Sequence, residues 1–208
     1  MQFLTDKTQL VFNSIAGFKL LNEFTFVGGS AIAFYLQHRL SEDLDFFTWQ
    51  KELPIDLQNF LREISKKHKI EISNSSSTYL DVFIDDIKIT FFANDWEALK
   101  TYRTKCFNNI YTAELKLLSA MKINTLSLRA KHRDYYDLYV INKEIFSLKD
   151  LYAHSTFYIP GMTKKVFGTV LTFIADIEDE NIEHLNPKYK VTIEDIQSHF
   201  EKEFIKII

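Results

Sequence analysis

The sequence carries a pair of alternating carboxylates, Asp43-Leu44-Asp45, a short way after Gly28-Gly29-Ser30. Side chains alternate along a strand, so Asp43 and Asp45 share one face while Leu44 and Phe46 take the other. Hard carboxylate oxygens placed side by side suit Mg²⁺, which is held by one or two protein carboxylates together with substrate phosphates. The glycine pair opens a helix and supplies the complementary half. Unpaired backbone N–H groups, the Ser30 hydroxyl and the helix dipole can meet a phosphate there, and glycine lets a ligand approach the backbone closely. Alone, a Gly-Gly before a helix is more often a plain turn, and alternating aspartates are more often a solvated strand edge. Their succession as turn, helix and strand is what points to a metal-bound nucleoside triphosphate.

A second group of charges lies further along. A helix over 113–128 sets Lys122 and Arg129 two turns apart on one face, with Thr125 between them, while Leu115, Leu118 and Leu126 turn elsewhere. Lys116 competes with Lys122 for any role. On the next helix Asp134 and Asp137 stand at i and i+3, preceded by Lys131 and Arg133. They read either as surface ion pairs worth little stability or as a charged wall facing the first cluster across a cleft between two lobes.

The elements that position these groups follow from pattern. Leu10, Val11, Ile15, Phe18 and Leu21 predict an amphipathic helix over 6–21. Phe24–Val27 is a short buried strand ended by Gly28-Gly29, and Ser30 takes the N-cap of an apolar helix running from Ala31 to Leu36. Asp43–Trp49 is the strand that carries the carboxylates. A helix over 55–68 turns Ile55, Leu57, Phe60, Leu61 and Ile64 inward. Strands follow near 69–74, 78–84 and 87–93, the last two joined as a hairpin at Asp85-Asp86. After Trp96 the pattern becomes helical: Thr112 caps a helix to about Leu128, and Arg133–Lys143 forms another. Thr163–Asp179 and Thr192–Ile207 complete the second half, the latter opening on a capping-box-like Thr192-Ile193-Glu194-Asp195. The expectation is an α+β fold, with a small mixed sheet and helices in a lobe 1–100, followed by a helical lobe 101–208.

The 208 residues, 46% hydrophobic with nineteen phenylalanines, suffice for one sizeable core or two small lobes packed together. Scattered glycines and prolines, and no repeat or low-complexity run, argue against domains on a flexible tether. A net charge of −3 speaks against coating nucleic acid by bulk electrostatics, which leaves local patches such as Arg129-Ala130-Lys131-His132-Arg133 and Lys164-Lys165. The single cysteine, Cys106, excludes an internal disulfide framework and a cysteine-based zinc knuckle, and the histidines show no pair at metal-ligand spacing. With no signal-peptide pattern and no run approaching ~20 apolar residues, the chain is expected to be cytoplasmic, without a membrane partner.

In order, Gly28-Gly29-Ser30, His38-Arg39-Leu40-Ser41 and Asp43-Leu44-Asp45-Phe46-Phe47 resemble the first motif of the AbiEii/AbiGii-type nucleotidyltransferases, toxins of bacterial abortive-infection and toxin–antitoxin systems. Lys122-Ile123-Asn124-Thr125-Leu126-Ser127-Leu128-Arg129 resembles the second, with lysine and arginine in register and one hydrophobic and one small position substituted. Lys131-His132-Arg133-Asp134-Tyr135-Tyr136-Asp137-Leu138 resembles the third, with lysine and arginine where arginine and lysine are usual. The likeness spans about residues 20–145 and leaves the C-terminal helices uncovered. It implies a polymerase-beta-like nucleotidyltransferase fold and transfer of a nucleotide from an NTP to an RNA, such as the acceptor end of tRNA, with release of pyrophosphate. A cognate antitoxin is the implied partner. By position, Gly28, Gly29, Ser30, Lys122 and Arg129 would serve the nucleotide and Asp43 and Asp45 would bind Mg²⁺. Asp134 or Asp137 would supply a further acidic group, and the basic run 129–133 would guide an anionic acceptor.

The chain departs from the wider superfamily at one place. Many polymerase-beta-like enzymes carry a third catalytic carboxylate on a later strand, as base for the attacking hydroxyl, whereas Lys88-Ile89-Thr90-Phe91-Phe92 offers lysine and threonine. That leaves Asp81, Asp85 or Asp86, or the helix pair Asp134 and Asp137. The hairpin pair is expected to be solvent-exposed, which favours Asp134 or Asp137. The departure also keeps two rival readings open: transfer to a small molecule or protein hydroxyl, and a nucleotide- or partner-binding module without turnover.

Overall fold

The computed structural model describes residues 2–129, 131–174, 177 and 181–206, and the chain divides into two units, Met1–Glu114 and Leu115–Ile208. In the first, α1 (Asp6–Ile15) and a 3-10 turn at Lys19–Glu23 lead into β1 (Thr25–Val27), α2 (Gly28–Leu36), β2 (Leu44–Thr48) and α3 (Leu57–Ile64). There follow β3 (Ile70–Ser75), β4 (Tyr79–Ile84), β5 (Ile87–Ala93), the short α4 (Ala98–Thr101), β6 (Arg103–Phe107) and β7 (Ile110–Ala113). Among the described residues these strands form one seven-stranded mixed sheet in the order β3-β4-β5-β2-β1-β7-β6. β1 runs antiparallel to β2 and parallel to β7, β2 runs parallel to β5, and the outer pairs are antiparallel.

Alternation along the central strands builds the core of this unit. The register pairs Phe26 with Phe46 and Phe46 with Phe91, with ring centroids 5.3 and 5.6 Å apart. Phe12 of α1 closes on Phe26 at 5.5 Å and Phe60 of α3 on Phe91 at 5.9 Å, so both helices cover this face. All of these rings are buried, and aromatic pairs at such separations contribute ~0.5–1.5 kcal/mol each beyond the area they bury. The opposite face carries a polar row, Asp45 beside Thr90 and Thr90 beside Asp81.

Several expectations are corrected. The boundary expected after residue 100 falls after Glu114, because 103–107 and 110–113 are strands of the sheet rather than helix. Thr112 caps no helix: it lies in β7 opposite Phe26 and donates its hydroxyl hydrogen to the Phe26 carbonyl at 3.1 Å. The run Ile110-Tyr111-Thr112 suits a pleated surface, and pairing with β1 overrides the local capping signal. The helix expected over 6–21 stops at Ile15. Ile55 is 87% exposed, since α3 begins only at Leu57. Ser30 is not an N-cap either; α2 starts at Gly28, with Val27 in the cap position.

The second unit is helical: α5 (Leu115–Leu128), α6 (His132–Glu144), α7 (Leu148–Tyr158), α8 (Lys164–Thr172), a 3-10 turn at Glu183–Leu185, and α9 (Ile193–Ile205). Reciprocal capping boxes open α7 at Ser147/Asp150 and α9 at Thr192/Asp195, and Thr163 caps α8. The helix expected over 163–179 ends at Thr172, while Ala175, Asp176, Glu178, Asp179 and the expected end at Ile207 lie outside the described residues. Among the described residues no helix is long and apolar enough to cross a membrane.

Candidate active site

β1 runs directly into α2, and the joint is made at Gly28 with φ 74°. That left-handed backbone favours glycine, and a Cβ there would also collide with the carboxylate of Asp45, the residue after Leu44 that pairs with Val27. Gly28 therefore turns the chain and leaves room for a site carboxylate at the same point. Gly28, Gly29 and Ser30 form the first turn of α2, whose N–H groups have no acceptor within the helix and sit at its positive end.

The Ser30 side chain, 1% exposed, hydrogen-bonds the backbone carbonyl of Asp43 and the Ser41 hydroxyl, the latter at 2.8 Å. The N-terminal segment ties the same loop down. Thr5 N–H donates to the Ser41 carbonyl at 3.0 Å, Ser41 N–H to the Phe3 carbonyl at 3.1 Å, and the Thr8 hydroxyl to the Glu42 carbonyl at 2.9 Å. The Ser30 hydroxyl thus anchors the loop that presents Asp43. Asp43, just ahead of β2, and Asp45, within it, are half-buried on the side opposite the buried Leu44 and Phe46, as alternation requires.

Beside them on β4 and β5 stands a group that one strand read alone does not reveal. Thr90 Oγ1 donates to Asp81 Oδ1 at 2.6 Å, and Lys88 Nζ reaches Asp81 Oδ2 at 2.9 Å. Burial pushes the Asp81 carboxyl up, but hydrogen bonds from Thr90, Lys88 and Tyr79, with the charge of Lys88, outweigh it and hold the group below its ordinary value. Burial likewise works against the Lys88 charge, and the hydrogen bond to Asp81 and the charges of Asp81, Tyr79 and Asp43 raise its pKa nonetheless. Asp85 and Asp86 are engaged at the hairpin instead. Asp85 accepts from Lys69 N–H at 2.9 Å and pairs with His68 at 2.6 Å, while exposed Asp86 lies 3.4 Å from Lys69 Nζ.

The second unit brings together the other residues singled out in the sequence. Lys122 of α5 is 6% exposed and reaches Asp134 Oδ1 at 2.7 Å and Asp137 Oδ2 at 2.9 Å, both on α6. These aspartates are 2% and 0% exposed, so the reading of them as weak surface ion pairs is corrected: they are buried partners of a buried lysine. Lys116, the other lysine of α5, is exposed. Arg129 follows α5 directly, its exposed side chain placing Nε 3.5 Å from Asp134 Oδ2.

The donor set at Asp43 and Asp45 fits a hard divalent cation. Among the described residues no group of three or more His, Cys, Asp or Glu is arranged to hold a metal, so a cation on these carboxylates would draw its remaining ligands from phosphate oxygens and water. A strand, a glycine turn, a helix and an antiparallel strand with one aspartate in it and another just ahead of it, set in a mixed sheet, define the polymerase-beta-like nucleotidyltransferase fold. Residues 9–159 match the model of the nucleotidyl transferase AbiEii toxin family, type IV toxin–antitoxin system, and the chain belongs to that family of nucleotidyltransferases. It is 25% identical over 207 residues, 99% of this chain and 100% of the relative, to the uncharacterized protein aq_aa25 of Aquifex aeolicus strain VF5. MenT4, the nucleotidyltransferase toxin Rv2826c of Mycobacterium tuberculosis H37Rv, aligns with TM-score 0.59 and 16% identity, covering 94% of this chain and 82% of that one. JHP933 from Helicobacter pylori aligns with TM-score 0.53 and 16% identity, covering 98% and 94%. At such identities the two structures speak for the fold alone.

Proposed function

We propose that this chain transfers a nucleotide from an NTP to a hydroxyl of an RNA, tRNA being the first acceptor to test, using Mg²⁺ held by Asp43 and Asp45. The observation that carries the reading is the junction of α2 with the carboxylate strand, where Gly28 leaves room for Asp45 and the first-turn N–H groups of α2 stand beside it. A triphosphate suits that end of the helix. The acceptor oxygen bonds to the α-phosphorus, the bond from that phosphorus to the bridging oxygen breaks, and pyrophosphate leaves with the electron pair while the hydroxyl proton passes to water. Mg²⁺, when bound, neutralises charge on the phosphates. The chain's own part is positional: Ser30 and the N-terminal segment fix Asp43, Gly28 accommodates Asp45, and the N–H groups of Gly28, Gly29 and Ser30 hold leaving phosphates.

Lys122 and Arg129 are assigned to the nucleotide, and Asp134 and Asp137 to a further acidic role, on the family motifs. The antitoxin partner follows from a family described as part of a toxin–antitoxin system, and a cytoplasmic setting follows from an RNA acceptor. The test is incubation with tRNA, Mg²⁺ and each of the four NTPs labelled at the α-phosphate. Label should enter tRNA from at least one NTP and fall about 100-fold or more with Asp45→Asn. Undiminished transfer by Asp45→Asn would remove the metal site, and label entering a protein or small molecule instead would replace the acceptor.

A further inference from the structure

We propose that Lys88 is a cation built into the reaction face of the sheet, so that the site takes one divalent ion per chain, on Asp43 and Asp45, instead of two. The inference rests on the nucleotidyl-transfer reading and specifies how its charge is balanced. β2 and β5 are neighbouring parallel strands with Leu44 opposite Ile89 and Asp45 opposite Thr90. Leu44 and Ile89 are buried in the core, so the residues just before them, Asp43 and Lys88, fall side by side on the other face. Strands in a sheet lie about 4.8 Å apart, which puts the root of the Lys88 side chain one strand spacing from Asp43.

The lysine is held there from the far side. Asp81 on β4 accepts from Lys88 at 2.9 Å and is itself fixed by Thr90 at 2.6 Å. Thr90 is the cross-strand neighbour of both Asp45 and Asp81, so the row Asp45, Thr90, Asp81 and the ammonium of Lys88 form one connected polar surface. In-line displacement at phosphorus gathers negative charge on the attacking oxygen, the equatorial oxygens and the leaving group, and enzymes that clamp it with two metals need carboxylates enough to hold both. Here Asp81 is committed to a lysine. Among the described residues no group of three or more His, Cys, Asp or Glu gathers for a metal. A fixed ammonium at this spot supplies the second positive charge at the reacting phosphate, and Asp81 and Thr90 act as positioning residues for it.

The test counts ions directly. Mn²⁺ bound per chain is measured by the electron paramagnetic resonance of the remaining free Mn²⁺, with saturating α,β-methylene analogues of the four nucleoside triphosphates tried in turn. The wild type should bind one Mn²⁺ per chain with the analogue that binds, and Lys88→Asp should bind two. Lys88→Met should lower label transfer about 100-fold or more while analogue affinity changes little, and Lys88→Arg should recover much of the loss. Two Mn²⁺ per wild-type chain overturns the inference whatever the variants do, as does full-rate transfer by Lys88→Met. If Lys88→Met unfolds, Lys88→Met/Asp81→Asn, which leaves no unpaired carboxylate, takes its place under the same criteria. Asp45→Asn separates the two levels. Should it bind Mn²⁺ and analogue like the wild type, the nucleotidyl-transfer site itself is misplaced; should it lose them while the wild type binds two ions, only the role of Lys88 falls.

Discussion

Lys122→Met isolates the buried charge group of the helical unit, because methionine keeps most of the lysine stem's volume and removes the ammonium. One lysine serves two carboxylates, at 2.7 and 2.9 Å, and all three groups are almost wholly withdrawn from water. Removing one partner of a buried ion pair costs about 3–5 kcal/mol, since the remaining charge stays buried without compensation. Both Asp134 and Asp137 lose that ammonium, so a cost in this range applies; Arg129, 3.5 Å from Asp134 and mostly exposed, offers little relief. For a chain of this size each kcal/mol moves the midpoint by roughly 2–4 °C, so a fall of about 10 °C or more is expected. Thermal melts and urea titrations followed by circular dichroism would read it, the urea midpoint falling with its slope unchanged. Adding Asp134→Asn to Lys122→Met removes one stranded charge, so the double variant should be the more stable of the two. A single variant within about 1 kcal/mol of wild type, or simple addition of the two single costs, would refute the ion triad. The same melts set the temperature below which a loss of label transfer in Lys122→Met can be read as chemistry.

Gly28→Ala should cost about 1–2 kcal/mol for a left-handed residue and also displace Asp45, so Mn²⁺ and nucleotide binding weaken together; Gly17→Ala, with nothing near its Cβ, is the near-neutral control, and equal behaviour of the two would contradict the role given to Gly28. Burial pushes the Cys106 thiol up to about 12, leaving roughly one thiolate in ten thousand at pH 8, so iodoacetamide should modify the folded chain far more slowly than the urea-unfolded one; equal rates would count against that burial. Burial lowers the pKa of His154 and His199, the latter donating from Nε2 to Asn142 at 2.7 Å. The unfolded chain therefore binds protons first as pH falls through about 6.5, so this contribution to stability is present above that pH and lost below it. Urea midpoints should drop from pH 7 to pH 5 and drop less in His199→Gln; identical slopes would rule His199 out as a source.

What the sequence disclosed was what neighbours in the chain determine. Alternation at 43–47 placed Asp43 and Asp45 opposite Leu44 and Phe46, Asp85-Asp86 announced a hairpin, and Thr192-Ile193-Glu194-Asp195 announced the start of α9. What it withheld depends on distant partners. Thr112 reads as a helix cap until β7 is laid against β1, whose Phe26 lies far back in the chain. Ser30 reads as a helix cap until the loop at Ser41–Asp43 folds over it and takes its hydroxyl hydrogen bonds. Asp134 and Asp137 read as surface charges because their spacing says nothing of a lysine arriving from the preceding helix.

The lysine at 88 looks like a defect only while a carboxylate is sought at one position of one strand. Across the sheet the carboxylate is present one strand further out, at Asp81, and its arrival beside Thr90 is a matter of hairpin register. That register is set at Asp85 and Asp86, whose φ values of 49° and 67° are the left-handed geometry of a tight two-residue hairpin turn. A slip of one residue would carry Asp81 to the phenylalanine face and bring Leu80 or Val82 out beside Thr90, dissolving the anchor of Lys88. The two aspartates set aside as catalysts because they lie in an exposed turn therefore still bear on the site: they fix which side chain of β4 stands beside Thr90 of β5, the strand next to the one that carries Asp45.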